Sequence, residues 1–243
     1  MIKAIFLFLI FSLSSFGASN TPSSTSGSER GIDLRVMKKE GRKIFVFETK
    51  NREELLDESY HQALIGSYYR VTKRLRVGLF LQTEQGLRWD DDWVKSESWQ
   101  WERINNRWDY STVFDLSYQD KINSKFLWEL KNRLAYYHSR DALLLKLRPG
   151  LRYFIFKNGS PWAQIFTQVE TYIPVNYGHH LIYEYWAYLG SLFEVTKGFS
   201  MGPLISYRQR WFHSYDSFKE TTNLSYRTQL SSFYYGLSAL FQF

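Results

Sequence analysis

The chain has 243 residues, enough for one large barrel or one to two smaller domains. Its 31 Lys and Arg outnumber 24 Asp and Glu for a net charge of +7, yet no basic block of the kind that tracks phosphates appears, which sets nucleic acid aside. The absence of cysteine excludes a disulfide framework, a thiolate metal site and a lipidated N-terminal Cys, and nothing else in the sequence asks for a metal or a cofactor.

Aromatic residues make up 19% of the chain, with 9 Trp, 18 Tyr and 19 Phe, although mean hydropathy is negative. A water-soluble core does not need so many amphipathic rings, whereas a membrane barrel uses them at both interfaces. At the N-terminus, Met1-Ile2-Lys3 is a short basic start, Ala4 to Leu13 is apolar, and Ser15-Phe16-Gly17 supplies small residues for cleavage. This predicts a signal peptide over 1–17. No later run approaches the roughly eighteen apolar residues of a spanning helix. Residues 18–41 open with a stretch rich in Ser, Thr, Gly and Pro and are predicted to be a flexible periplasmic lead-in without packing duty. The barrel itself is predicted over 42–243.

From Arg42 onward the sequence breaks into runs of alternating polarity. The predicted strands are 43–50, 59–71, 75–86, 108–118, 124–137, 142–156, 162–175, 183–195, 199–213 and 229–243. Short breaks with turn chemistry occur at 72–74, 120–123, 158–161 and 196–198, and they alternate with mostly longer segments at 51–58, 87–107, 176–182 and 214–228, plus the brief 138–141. Outer-membrane barrels keep short turns on the periplasmic side and long loops outside. If Phe243 ends in the periplasm, this parity requires an even count and a first strand that rises from the periplasm. The expectation is a single up-and-down antiparallel transmembrane β-barrel, all-β, of ten strands; Ile32 to Glu40 also alternates and leaves room for twelve. Pro149, Pro174 and Pro203 are expected at bulges or strand ends.

The strand faces define a lumen. Leu143, Leu145, Leu147, Leu151, Tyr153 and Ile155 oppose Lys146, Arg148, Gly150 and Arg152; Ile165, Val169, Ile173 and Val175 oppose Gln164, Gln168 and Glu170; Phe126, Trp128, Leu130, Leu134 and Tyr136 oppose Lys125, Glu129, Lys131 and Arg133. A Lys or Arg on the lipid face at mid-depth costs about 2–4 kcal/mol, so the charges are assigned to the lumen. Hairpin registers set Glu170 opposite Arg148 or Lys146, Glu184 opposite Arg210, Arg133 opposite Lys146 and Lys131 opposite Arg148. The expected result is a basic cluster of Lys131, Arg133, Lys146, Arg148, Arg208 and Arg210 in the outer half of the lumen. Glu170 and Glu184 neutralise it in part, and Glu84 and Asp109 face it from the far wall. Such a lumen is either filled by its own salt bridges or forms a narrow, weakly anion-preferring passage or site for a small anionic solute.

Residues 87–107 hold Trp89, Trp93, Trp99 and Trp101, suited to interface anchoring, to covering the mouth or to stacking on sugars. A hydrolase would need rim carboxylates and a His. Asp90 and Asp92 share one loop and His213 with Asp216 begins another, a faint likeness to the omptin proteases, but their Asp-x-His pair has no counterpart here. The His-x-Ser pair of outer-membrane lipid hydrolases is absent as well, since His138-Ser139 and His213-Ser214 lack the spacer. His179 and His180 are adjacent and would point apart, which makes a poor metal site.

In the last strand Phe233, Tyr235, Leu237, Ala239, Phe241 and Phe243 alternate with Ser232, Tyr234, Gly236, Ser238 and Gln242. The terminal Phe resembles the assembly signal of bacterial outer-membrane barrels, with Phe241 and Phe243 as its aromatic residues. That resemblance implies a Gram-negative outer membrane as the location, outer-membrane lipid as surroundings, and the barrel-assembly machinery with periplasmic chaperones as partners. The run from Trp128 to Tyr137 (WELKNRLAYY), Leu147 to Phe154 (LRPGLRYF) and Val169-Glu170-Thr171 resembles the uncharacterised outer-membrane barrels grouped as DUF2490, over about residues 108–243. That family carries no assigned chemistry.

Overall fold

A computed structural model of the protein describes residues 25–54, 58–85, 108–139, 141–176, 184–213, 223 and 227–243. They form eleven strands: β1 (Thr25–Glu40), β2 (Lys43–Glu54), β3 (Glu58–Arg70), β4 (Leu75–Gln85), β5 (Asp109–Lys121), β6 (Phe126–Tyr137), β7 (Ala142–Lys157), β8 (Ser160–Pro174), β9 (Glu184–Thr196), β10 (Phe199–His213) and β11 (Arg227–Gln242). There is no helix among the described residues. Each strand pairs with its sequence neighbours, and β1 closes the sheet on β11 into one barrel.

The strands expected from 43 onward form, with their ends moved by a few residues, but the count is eleven and not ten or twelve. The additional strand is β1, which lies wholly within the segment assigned to a lead-in. Its Ser and Gly content mimics a linker. The deciding feature is the alternation of Glu29, Gly31, Asp33, Arg35 and Met37 with Arg30, Ile32, Leu34, Val36 and Lys38. Without β1 the facing edges of β2 and β11 would carry unpaired backbone groups. An odd strand can fill that gap only by running parallel to one neighbour. β1 is antiparallel to β2 and parallel to β11, with Thr25 beside Leu230 and Met37 beside Gln242. It therefore starts at the end of the long connections and runs toward the short turns, opposite to the first strand expected from an even count. The predicted signal peptide lies outside the described residues.

The short turns gather at the end where the chain finishes. Gly41, Asn158, Gly159 and Gly198 take positive φ there, which suits tight hairpins. The Thr72 hydroxyl accepts from the amides of Arg74 (3.1 Å) and Leu75 (2.9 Å). The Asn123 carboxamide oxygen accepts from those of Lys125 and Phe126, both at 2.9 Å. Phe243 is tied to the seam, its amide donating to the Met37 carbonyl (3.0 Å) and its carbonyl accepting from the Lys39 amide (3.1 Å). Of the three prolines, only Pro174 ends a strand. Pro149 and Pro203 lie inside β7 and β10, and the register is the same on both sides of each, from Leu147↔Thr171 to Gly150↔Gln168 and from Met201↔Phe193 to Leu204↔Gly190. Each lacks the N–H for one rung, and the ladder resumes beyond it. The register shifts fall instead at Ile155/Phe156 and Phe199/Ser200.

Two glycines let the seam close. Gly31 pairs with Gly236. A Cβ on Gly31 would stand 2.1 Å from the Asn51 carbonyl oxygen, and one on Gly236 2.2 Å from the Gly31 carbonyl oxygen. Both obstacles are backbone, so Gly31→Ala is expected to cost about 1–3 kcal/mol, as overpacking does. A urea midpoint in detergent micelles that fails to move would show that the seam has slack.

The burial pattern is inverted relative to a water-soluble protein. Ile65 (59%), Leu79 (61%), Leu81 (64%) and Phe233 (63%) are exposed on the outside, whereas Asp115 (0%), Glu170 (2%) and Glu184 (2%) are buried within. Aromatic pairs border the apolar belt. Toward the short turns these are Tyr118–Trp128, Phe126–Tyr153, Trp162–Phe193 and Phe199–Phe241; toward the other end, Tyr185 meets Tyr207 and Trp211. On β6 the belt runs from Trp128 to Tyr136, about 27 Å along the strand at about 3.4 Å per residue. At the usual tilt that is a height of about 20 Å, close to the apolar band of a membrane barrel.

Candidate functional site: the barrel interior

The interior holds an apolar cluster among buried charges. On β2 to β5, Ile44, Val46, Leu64, Tyr68, Phe80 and Val113 pack together, with Phe80 edge-on to Tyr68 at 4.9 Å between ring centroids. Charges project inward from β6 to β10 and β1, and also from Glu48 and Arg52 on β2 and Asp115 on β5. The pairings expected from hairpin geometry occur: Lys131 opposite Arg148, Arg133 opposite Lys146, and Glu184 opposite Arg210. Like charges opposite one another destabilise a sheet unless compensated, and each cross-strand pair has one member bound to a carboxylate. Arg133 donates to Asp115 of β5 (3.0 Å), which also accepts from the Tyr68 hydroxyl (2.9 Å). Arg148 is ion-paired with Glu170, and the Tyr172 hydroxyl donates to that carboxylate at 2.5 Å. The Lys146 ammonium lies 4.9 Å from the Tyr172 ring centroid.

The basic residues do not form one cluster in the outer half. Arg208 and Arg210 belong to a second network, on β9, β10, β11 and β1. Glu184 accepts from Arg210 Nε (2.5 Å), Arg208 Nε (3.2 Å) and Trp186 Nε1 (2.6 Å). Arg208 also reaches Glu29 of β1 at 3.3 Å, and the Ser232 hydroxyl donates to the same carboxylate. Beside it the Arg52 guanidinium sits between Trp186 (4.8 Å) and Tyr234 (4.5 Å) and pairs with Asp33 at 3.1 Å. Lower in the barrel Arg152 pairs with Glu129 at 2.8 Å, and Arg35 with Glu48 at 2.5 Å. Glu84 and Asp109 face each other in register on β4 and β5.

Sequence reasoning missed Glu29, Asp33 and Arg35 because it left β1 out. It missed Asp115 although the alternation of Asp109, Ser111, Val113, Asp115 and Ser117 with Tyr110, Thr112, Phe114 and Leu116 carries the signal. A cavity of about 110 Å³ lies at mid-height. Arg35, Lys50, Lys131, Arg148 and Arg152 line it, against the carboxylates of Asp33 and Glu48. The four residues expected to form an outer Trp loop (89, 93, 99 and 101), together with Asp90, Asp92, His179, His180 and Asp216, lie outside the described residues, and of His213 only the backbone is described, at the end of β10. Phe241 stacks on Phe199 at 4.4 Å, and Phe243 is exposed. Among the described residues no group of three or more His, Asp or Glu is placed to hold a metal. No protein-family model, curated protein or solved structure matches the chain.

Proposed function

We propose that the chain is an integral outer-membrane β-barrel whose net-basic lumen is filled by its own side chains, acting as a structural envelope protein. The observation that carries this reading is the inverted burial: an apolar, aromatic-bordered exterior around buried, ion-paired charges. The short-turn rim supports it, with Lys39, Arg42, Lys43, Lys73, Lys121 and Lys125 exposed just beyond the girdle, where headgroup phosphates would lie. In the same proposal the short turns and Phe243 face the periplasm, Phe241 and Phe243 are the aromatic residues read by the assembly machinery, and the barrel is of the DUF2490 type.

A second reading, a narrow anion-preferring pore, is favoured by the surplus of cationic side chains around the mid-height cavity. Conductance of the purified protein in planar bilayers separates the two. The filled barrel is expected to insert without resolvable steps. Small anion-selective steps that alter in Arg148→Glu would establish the pore, and large cation-selective steps would defeat both readings.

A further inference from the structure

We propose that the mid-height cavity is a binding site for a small dianionic oxyanion of the phosphate or sulfate class, held between Lys50 and Lys131. The arginines around the cavity are each matched to a carboxylate: Arg35 to Glu48, Arg148 to Glu170 and Arg152 to Glu129. Asp33, the other carboxylate in the lining, is held by Arg52. This one-to-one matching leaves two positive charges over. They are the ammoniums of Lys50 and Lys131, which line the cavity and, among the described residues, make no ion pair of their own. Two like charges held inside the lumen beside one cavity are costly without a counter-ion, and a dianion cancels them where chloride or a monocarboxylate would leave one.

The space suits such an ion. About 110 Å³ of the cavity is open to water-sized groups, room for a small tetrahedral oxyanion with water beside it. The Arg152 Nε–H, buried and without a hydrogen-bond acceptor, supplies a further donor in the lining, and Gln168 an adaptable one. Lysine binds phosphate as a point charge with three rotatable donors. The wall is inside a closed sheet, so the ligand is a free ion and not a lipid headgroup. A retained dianion is a bound ligand, so the site is independent of whether the barrel conducts or where in the cell it resides.

The test is titration of the detergent-solubilised barrel with inorganic phosphate, by calorimetry and by the urea midpoint, with sulfate and chloride at matched ionic strength. Saturable one-site binding of phosphate and sulfate is expected, together with a concentration-dependent rise in the midpoint. Lys50→Gln and Lys131→Gln should each weaken binding at least about tenfold, the loss of one charge-assisted hydrogen bond, while Lys125→Gln at the rim changes nothing. Neither lysine is ion-paired, so neither variant strands a carboxylate. Should a variant fail to fold, the wild-type comparison still decides: equal stabilisation by chloride, or none by phosphate, overturns the site. Phosphate binding that survives in Lys50→Gln and Lys131→Gln overturns it as well.

Discussion

Replacing Glu184 with alanine is expected to destabilise the barrel by about 3–5 kcal/mol, the range for removing one partner of a buried ion pair. Glu184 is 2% exposed and its two oxygens serve three donors on two strands: Arg208, Arg210 and Trp186. Without it, two guanidiniums held inside the wall lose the carboxylate they share. Arg210 stands directly opposite Glu184 in register, so the two can be replaced together. That pairing makes the double variant informative. Glu184→Leu with Arg210→Leu should recover much of the loss, because an apolar pair of similar volume often replaces a buried ion pair at little cost. Guanidinium unfolding in lipid vesicles measures both. A loss below about 1 kcal/mol in Glu184→Ala, the scale of an exposed pair, would mean that water reaches this network and the lumen is open at that height.

The same network shows what the sequence could disclose. The faces of β6, β7, β8 and β11 were legible because every second side chain changes environment completely, and a single charge such as Arg148 or Glu170 fixes the orientation of its whole strand. Hairpin registers follow from the turns, which place the Lys131–Arg148, Arg133–Lys146 and Glu184–Arg210 pairings. Partners across the seam do not. Glu29 meets Arg208 from 179 positions away, a contact that exists only once β1 lies parallel to β11, and no local pattern records which strand closes a barrel. β1 was also obscured because its inward face carries Glu29, Asp33 and Arg35 and its beginning is Ser- and Gly-rich, a composition shared with linkers. The matching of each arginine to a carboxylate around the cavity, with Lys50 and Lys131 left over, likewise emerges only from side chains brought together from β1, β2, β6, β7 and β8.

Arginine in place of Leu79 distinguishes a lipid exterior from an aqueous one. Leu79 is 61% exposed at mid-strand on β4, and its cross-strand neighbours are Ser67 and Phe114. On a water-facing surface such a change falls within about 0.5 kcal/mol of neutral. On the face of a membrane barrel it costs about 2–4 kcal/mol at the midplane and about 0–1 near the interface. The expected series on β4 is therefore graded: Leu79→Arg is severe, whereas Thr83→Arg, four residues nearer the long connections, is mild. Arg30 offers the native precedent. It points outward near that end of β1, where it pairs with Glu53, while the outward positions below it are Ile32, Leu34 and Val36. Unfolding free energies of both variants in vesicles, set beside their urea midpoints in micelles, would reveal the gradient. Equal and small effects at both depths would remove the bilayer from the account of this barrel, and with it the reason its charges face inward.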